Sequence, residues 1–217
     1  MSSQKPASRT SSQRAAATVI YIVAIVLLAV PVIEWVANAA PFYADPYDLA
    51  LGLFNLPGRL FALVGFTLMF YQFILGVRIP ALERVFSRAT NLKRHQTLGK
   101  VGFILIALHG IAILSYDWVL AGRFLFDLYR VLGMIALALL IIGVIPAWHF
   151  KKLKLPRKVW RTLHLSAYIV FPLGFFHARN LGTELATSWM VEGLFTIMFV
   201  VFCLIVLFRL YTLVVRK

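Results

Sequence analysis

Residues 94–116 read RHQTLGKVGFILIALHGIAILSY, and this stretch decides what kind of molecule the chain is. From Thr97 to Tyr116 it is apolar enough and long enough to cross a hydrocarbon core ~30 Å thick, which takes about 20 helical residues. It also carries two histidines, His95 and His109. Ionisable groups inside a span are costly, so each is a candidate functional residue.

Working outward, five more apolar stretches share this character: Thr18–Ala37, Pro57–Val77, Tyr129–Trp148, Leu163–Ala178 and Met190–Leu210. With 61% hydrophobic and 14% charged residues, the chain lies far from the roughly 25% charge of soluble domains. The expectation is an all-α, polytopic six-helix transmembrane bundle over residues 18–217. A Ser-rich basic segment, 1–17, precedes it and reads as a disordered cytoplasmic tail. Ala37-Asn38-Ala39 resembles a signal-peptide cleavage site, but the apolar run before it exceeds the usual 7–15 residues, so an uncleaved span is expected.

The formal net charge of +14 would ordinarily raise nucleic acid as a partner. Its distribution removes that reading. With the N-terminus inside, 18 of the 22 basic residues fall on the inner side, where Glu83 is the one acid. The outer side holds Arg59, Arg123, Arg130 and Arg179 against seven acids: Glu34, Asp45, Asp48, Asp117, Asp127, Glu184 and Glu192. The positive-inside rule then places both termini in the cytoplasm, and the bilayer rather than nucleic acid becomes the expected partner. Trp35, Trp118, Trp148, Trp160 and Trp189 all fall near span ends, where indoles anchor in the interface. The single cysteine, Cys203, excludes an intrachain disulfide and any multi-cysteine metal centre.

Four of the five histidines form a pattern. His95 and His109 are 14 residues apart on the third span, about 21 Å along a helix. His164 and His177 are 13 apart on the fifth, about 20 Å. Both spans start inside, so His95 and His164 share an inner depth while His109 and His177 share an outer one. Two imidazoles at each of two levels suit two haems, each held between axial histidines. Gly99, Gly102, Gly110 and Gly174 could give a flat ring room. Facing is less tidy, because thirteen residues of ideal helix leave His164 and His177 about 140° apart, with Pro172 between them to alter the winding. His149 has no partner at its depth and reads as an interfacial residue. Zinc or copper would need ligands converging on one point, and a proton relay would normally add intramembrane acids.

The pattern Arg94-His95-x3-Gly99, Leu108-His109-Gly110 and Trp160-Arg161-x2-His164 with His177 resembles the ferric reductase-like transmembrane family. That family includes ferric reductases, NADPH oxidases, STEAP metalloreductases and the MsrQ-type haem subunit of methionine sulfoxide reductase systems. The resemblance implies six spans and two b haems, the inner bound by His95 and His164 and the outer by His109 and His177. Arg59, after Gly58, resembles the family's Gly-Arg step and implies a cationic group beside the outer haem, able to hold a propionate. Arg94, Lys100 and Arg161 are candidates for the inner propionates.

The family's full-length members continue into flavin and NADPH domains, whereas no Gly-rich dinucleotide fingerprint occurs in this sequence. A separate cytoplasmic flavoprotein reductase, FMN or FAD held through a partner or loosely, or a quinol is therefore the expected donor. The expected acceptor lies outside, and a periplasmic protein is one form it could take. An MsrQ-type subunit is the alternative, although the best-known members of that subgroup lack an equivalent of His95. A non-redox transporter or assembly subunit is the alternative of another class. The expected location is a bacterial inner membrane.

Overall fold

The structure, a computed structural model, describes residues 10–77 and 79–215. Among them every regular element is helical. In chain order these are α1 (Ser11–Ala44), a π-helical segment (Leu51–Asn55), α2 (Leu56–Gly76), α3 (Pro80–Val85), α4 (Arg88–Ala121) and α5 (Leu128–Trp148). Then follow α6 (Phe150–Leu153), α7 (Arg157–His164), α8 (Ala167–Leu181), α9 (Thr183–Thr187) and α10 (Trp189–Val215).

Five of these helical stretches are long and apolar enough to cross a membrane: α1, the π-segment with α2, α4, α5 and α10. The polytopic helical bundle expected from the sequence is therefore present, with one correction. The expected fifth span, Leu163–Ala178, is not a single helix. It breaks at Leu165–Ser166 into α7 and α8, and α8 alone, at 15 residues, reaches only about 22 Å. The cause lies in α7, whose Arg157, Lys158 and Arg161 are exposed and belong in a headgroup region rather than in hydrocarbon. A second correction concerns the tail. α1 begins at Ser11, where Thr10 Oγ1 accepts from the Gln13 N–H (3.3 Å) and Gln13 Oε1 accepts from the Thr10 N–H (3.0 Å). This is a capping box, visible in the sequence as Thr-x-x-Gln. The rest of the expected tail, residues 1–9, lies outside the described residues.

α2 is the central helix. Half of its most apolar stretch is buried, against 11% for α1 and α4. Its Leu63, Phe66, Phe70 and Phe73 form the core with Val170, Phe171 and Phe175 of α8 and Val191, Phe195, Met198 and Phe202 of α10. Phe66 stacks between Phe171 (centroids 4.5 Å) and Phe195 (4.7 Å), a geometry that adds to simple area burial. The outward sides of α1 (Val19, Ile22, Val23, Ile25) and α10 (Ile197, Val200, Leu204, Leu207) expose their apolar side chains, as a lipid-facing surface does.

α2 also crosses α4 at close range. A Cβ on Gly65 would sit 2.8 Å from the Ile106 side chain, and one on Gly102 would sit 3.2 Å from Leu68. Small residues permit such an approach where lipid gives helices no hydrophobic reason to associate. Gly102 therefore serves the helix crossing rather than room for a ring. α7 and α8 both pack on α5. The bundle thus holds two closely packed units, α2 with α4 and α5 with α7/α8, and each carries two of the histidines.

Candidate functional site

The four paired histidines meet as their depths predict. His95 on α4 and His164 at the end of α7 have ring centroids 5.9 Å apart, inclined at 80°. His109 on α4 and His177 on α8 lie 6.0 Å apart, inclined at 70°. The break itself removes part of the angular misfit between His164 and His177. Around it, four bonds run from residue i to i−3: Leu165 to Thr162 (shared with Arg161), Ser166 to Leu163, Tyr168 to Leu165 and Ile169 to Ser166. A 3₁₀ turn advances about 20° more per residue than an α-turn, so four of them recover roughly 80° of the ~140° deficit. Pro172 inside α8 is the other departure from regular winding.

Three of the four paired imidazoles are oriented by a backbone carbonyl of a neighbouring helix. His109 Nδ1 donates to Gly58 O (3.0 Å), His177 Nδ1 to Tyr129 O (2.8 Å) and His164 Nδ1 to Gly143 O (3.4 Å). His95 Nδ1 faces the Gln72 carbonyl, short of hydrogen-bond geometry. A carbonyl only accepts, so Nδ1 carries the proton and Nε2 is left as the ligating nitrogen. Gly58 and Gln72 on α2 are 14 residues apart, as are Tyr129 and Gly143 on α5. The α4 histidines lean on the first pair and the α7/α8 histidines on the second. Outer partners of this kind fix ring orientation and raise ligand basicity.

Glycine makes that approach possible at the outer level. A Cβ on Gly133 would lie 2.6 Å from His177 Nδ1, whereas one on Gly76 would meet the His95 ring at 3.6 Å, an ordinary contact. Each stands four residues after the carbonyl that faces the imidazole, Tyr129 and Gln72. None of these glycines was singled out from the sequence. The signal was a glycine four residues beyond a carbonyl at the depth of a histidine, which is readable only once the depth of the partner helix is known.

At the outer level a cavity of about 290 Å³ opens between α2, α4, α5 and α8. His109, His177, Gly110, Gly133 and Gly174 line it together with Leu63, Phe66, Ile106, Leu137 and Leu140. Arg59 and Arg130 both line this cavity. Each guanidinium is already paired with a buried acid. Arg59 Nε donates to both carboxylate oxygens of Glu184 (2.9 and 3.2 Å), and its Nη2 also donates to that group. Arg130 pairs with Asp117 through Nη1 and with Asp127 through Nε (3.0 Å). Glu184 and Asp117 are 2% and 3% exposed, so the outer level is charge-balanced within the bundle. Sequence reading placed these acids outside but not in the cavity wall, because their burial depends on tertiary packing, Glu184 on α9 and Asp117 near the end of α4.

The inner level has different surroundings. Arg94 donates to Tyr21 Oη and lies over the rings of Phe86 (4.3 Å) and Tyr21 (5.2 Å). Lys100 lies over Trp148 at 5.2 Å. Two of the three expected propionate candidates are thus engaged with aromatic rings, while the third, Arg161, is exposed on α7. His149 stacks on Trp148 and bonds Ile145 O (3.3 Å), away from the histidine pairs. Of the five tryptophans, Trp118, Trp148 and Trp189 are exposed as interfacial anchors should be. Two turn inward instead: Trp35 donates to Leu56 O (2.8 Å), and Trp160 stacks on His164.

Among the described residues no three His, Cys, Asp or Glu side chains converge to hold a metal ion. Each level therefore offers a metal two imidazole nitrogens. Paired imidazoles with Nε2 free, glycine-relieved walls and a largely apolar cavity fit a haem, whose macrocycle supplies four in-plane nitrogens.

Comparison with known proteins bears on the same residues. The model of the family described as ferric reductase like transmembrane component matches residues 61–175. That range contains His95, His109 and His164 and stops two residues short of His177. A protein-methionine-sulfoxide reductase heme-binding subunit, MsrQ, of Caulobacter vibrioides is 28% identical over 109 residues, covering 48% of this chain and 52% of the relative. The chain spans about half the length of the curated relative that it matches.

Proposed function

We propose, from the premise that the chain belongs to the ferric reductase like transmembrane component family, that it passes single electrons across a bacterial inner membrane through two b haems. The inner haem is held by His95 and His164, the outer by His109 and His177, and both termini lie in the cytoplasm. One observation carries this reading: two histidine pairs at two depths, with centroids 5.9 and 6.0 Å apart and three of the four Nδ1 atoms bonded to a backbone carbonyl. Four unrelated structural histidines would have no reason to share that geometry.

Haem, when bound, supplies a one-electron iron couple whose potential follows axial ligand, burial and nearby charge. The chain's residues do the rest. The Gly58, Tyr129 and Gly143 carbonyls hold the His109, His177 and His164 imidazoles each in one tautomer and one plane. The Phe66–Phe171–Phe195 stack fills the bundle between the levels and excludes water. Arg59 and Arg130, balanced by Glu184 and Asp117, place matched charges at the outer level, and their net neutrality keeps the site from holding a large fixed field. A cytoplasmic flavin, flavoprotein or quinol gives up one electron at a time at the inner level, and an acceptor outside takes each one up.

The similarity to a methionine sulfoxide reductase heme-binding subunit favours one form of that acceptor, a periplasmic reductase protein. The test of the pairing is to replace His109 and His177 singly by Ala. Each variant should lose the outer haem and retain the inner one, halving haem per chain. Full haem content in both variants would refute the pairing.

A further inference from the structure

Trp160 stands one helical turn before His164, and the two rings stack at 5.8 Å and 14°. Phe150 packs against the indole at 5.5 Å, so the ring is held from two directions. Its Nε1 is buried and has no hydrogen-bond partner. An indole N–H only donates, and one withdrawn from water without an acceptor loses its hydration for nothing. The other inward tryptophan, Trp35, shows that this fold satisfies an indole when the role is structural, since its N–H meets Leu56 O at 2.8 Å.

The orphaned N–H is not isolated. Four buried side-chain polar atoms lack a partner among the described residues, and three of them surround the inner histidine pair: Trp160 Nε1, His95 Nδ1 and Gln72 Oε1. None belongs to the outer level. Of the inner level's basic candidates, Arg94 and Lys100 lie over aromatic rings and Arg161 is exposed on α7. Building on the two-haem reading, we infer that Trp160 is a binding residue of the inner site. Its N–H donates to a haem carboxylate while its face holds the His164 imidazole in plane. The indole thereby does at the inner level what a guanidinium would be expected to do.

The test uses the full chain in an H177A background, so that only the inner level is loaded. Chains with Trp160 and with Trp160→Phe, which keeps the stack and removes the N–H, are each reconstituted with haem and with haem dimethyl ester, whose carboxylates are masked. Transfer to excess apomyoglobin gives the rate of loss. With haem, W160F should lose its cofactor about tenfold faster, as befits one charge-assisted hydrogen bond. With the dimethyl ester the two chains should match. Equal rates with both porphyrins would overturn the inference, as would an acceleration that persists with the ester, because stacking alone would then account for it. Chains that take up neither porphyrin would overturn the two-haem reading together with this one. The ultraviolet Raman band that reports indole hydrogen bonding provides a second readout, shifting toward the bonded position with haem and staying unbonded with the ester.

Discussion

Replacing Gly133 by Ala isolates the orienting role of the Tyr129 carbonyl. Within α5 the change gains helix propensity, about 1 kcal/mol in favour of Ala, so helix stability alone predicts a benign or improved protein. The site predicts the opposite. The new Cβ would stand 2.6 Å from His177 Nδ1 and 2.7 Å from its Cε1, where ordinary contact begins at 3.4 Å. The ring must therefore withdraw by about 0.8 Å. Its 2.8 Å bond to Tyr129 O then stretches beyond useful length. Loss of such an orienting partner typically costs 10–100-fold in metal affinity, about 1.4–2.7 kcal/mol. Purified G133A should carry the inner haem in full and lose the outer one preferentially, read as haem per chain together with the electron paramagnetic resonance of the two low-spin centres. Gly193→Ala on α10 is the control, because its Cβ would meet nothing within 4 Å. If G133A kept both haems with unchanged affinity, the Tyr129 carbonyl would not be what orients His177 toward the outer haem.

Gly143→Ala should disturb the inner level instead. Its Cβ would sit 2.7 Å from Ser166 Oγ and 3.2 Å from Leu163 O, prising the α7/α8 junction from α5, and adding Ser166→Ala should restore part of the lost haem. Glu184→Leu leaves the Arg59 guanidinium unpaired with its side chain only 16% exposed, a change worth about 3 kcal/mol. Unfolding in detergent should show that loss, and the double variant R59L/E184L should recover most of it. Absence of recovery would mean that Arg59 is held by something other than its pair.

Much of this bundle is legible in the sequence because depth in a bilayer is a one-dimensional quantity. Apolar length, charge asymmetry and a rise of 1.5 Å per residue place His95 level with His164, and His109 level with His177, without any tertiary information. Facing is different, since it needs the local winding at every residue between two positions. The 3₁₀ bonds at Leu165–Ser166 that correct the angle follow from how Ser166 bonds Leu139 O (3.0 Å) on another helix, which no local pattern encodes. The broken fifth span has the same origin: its apolar length from Leu163 reads as continuous, while the exposed basic turn of α7 ends it in the headgroup region. The Glu184–Arg59 and Asp117–Arg130 pairs and the three orienting carbonyls were equally out of reach, because each acts through a partner on another helix. Trp35 and Trp160 read as interfacial anchors by position, and only packing shows that they turn inward.

The central claim is that two histidine levels hold two b haems. Its most direct test is the dithionite-reduced minus oxidised spectrum of the purified protein, with haem quantified per chain by pyridine haemochromogen. Two b haems per chain are predicted, lost one at a time when either level is mutated. One haem or none, in protein produced with ample haem, would contradict the claim.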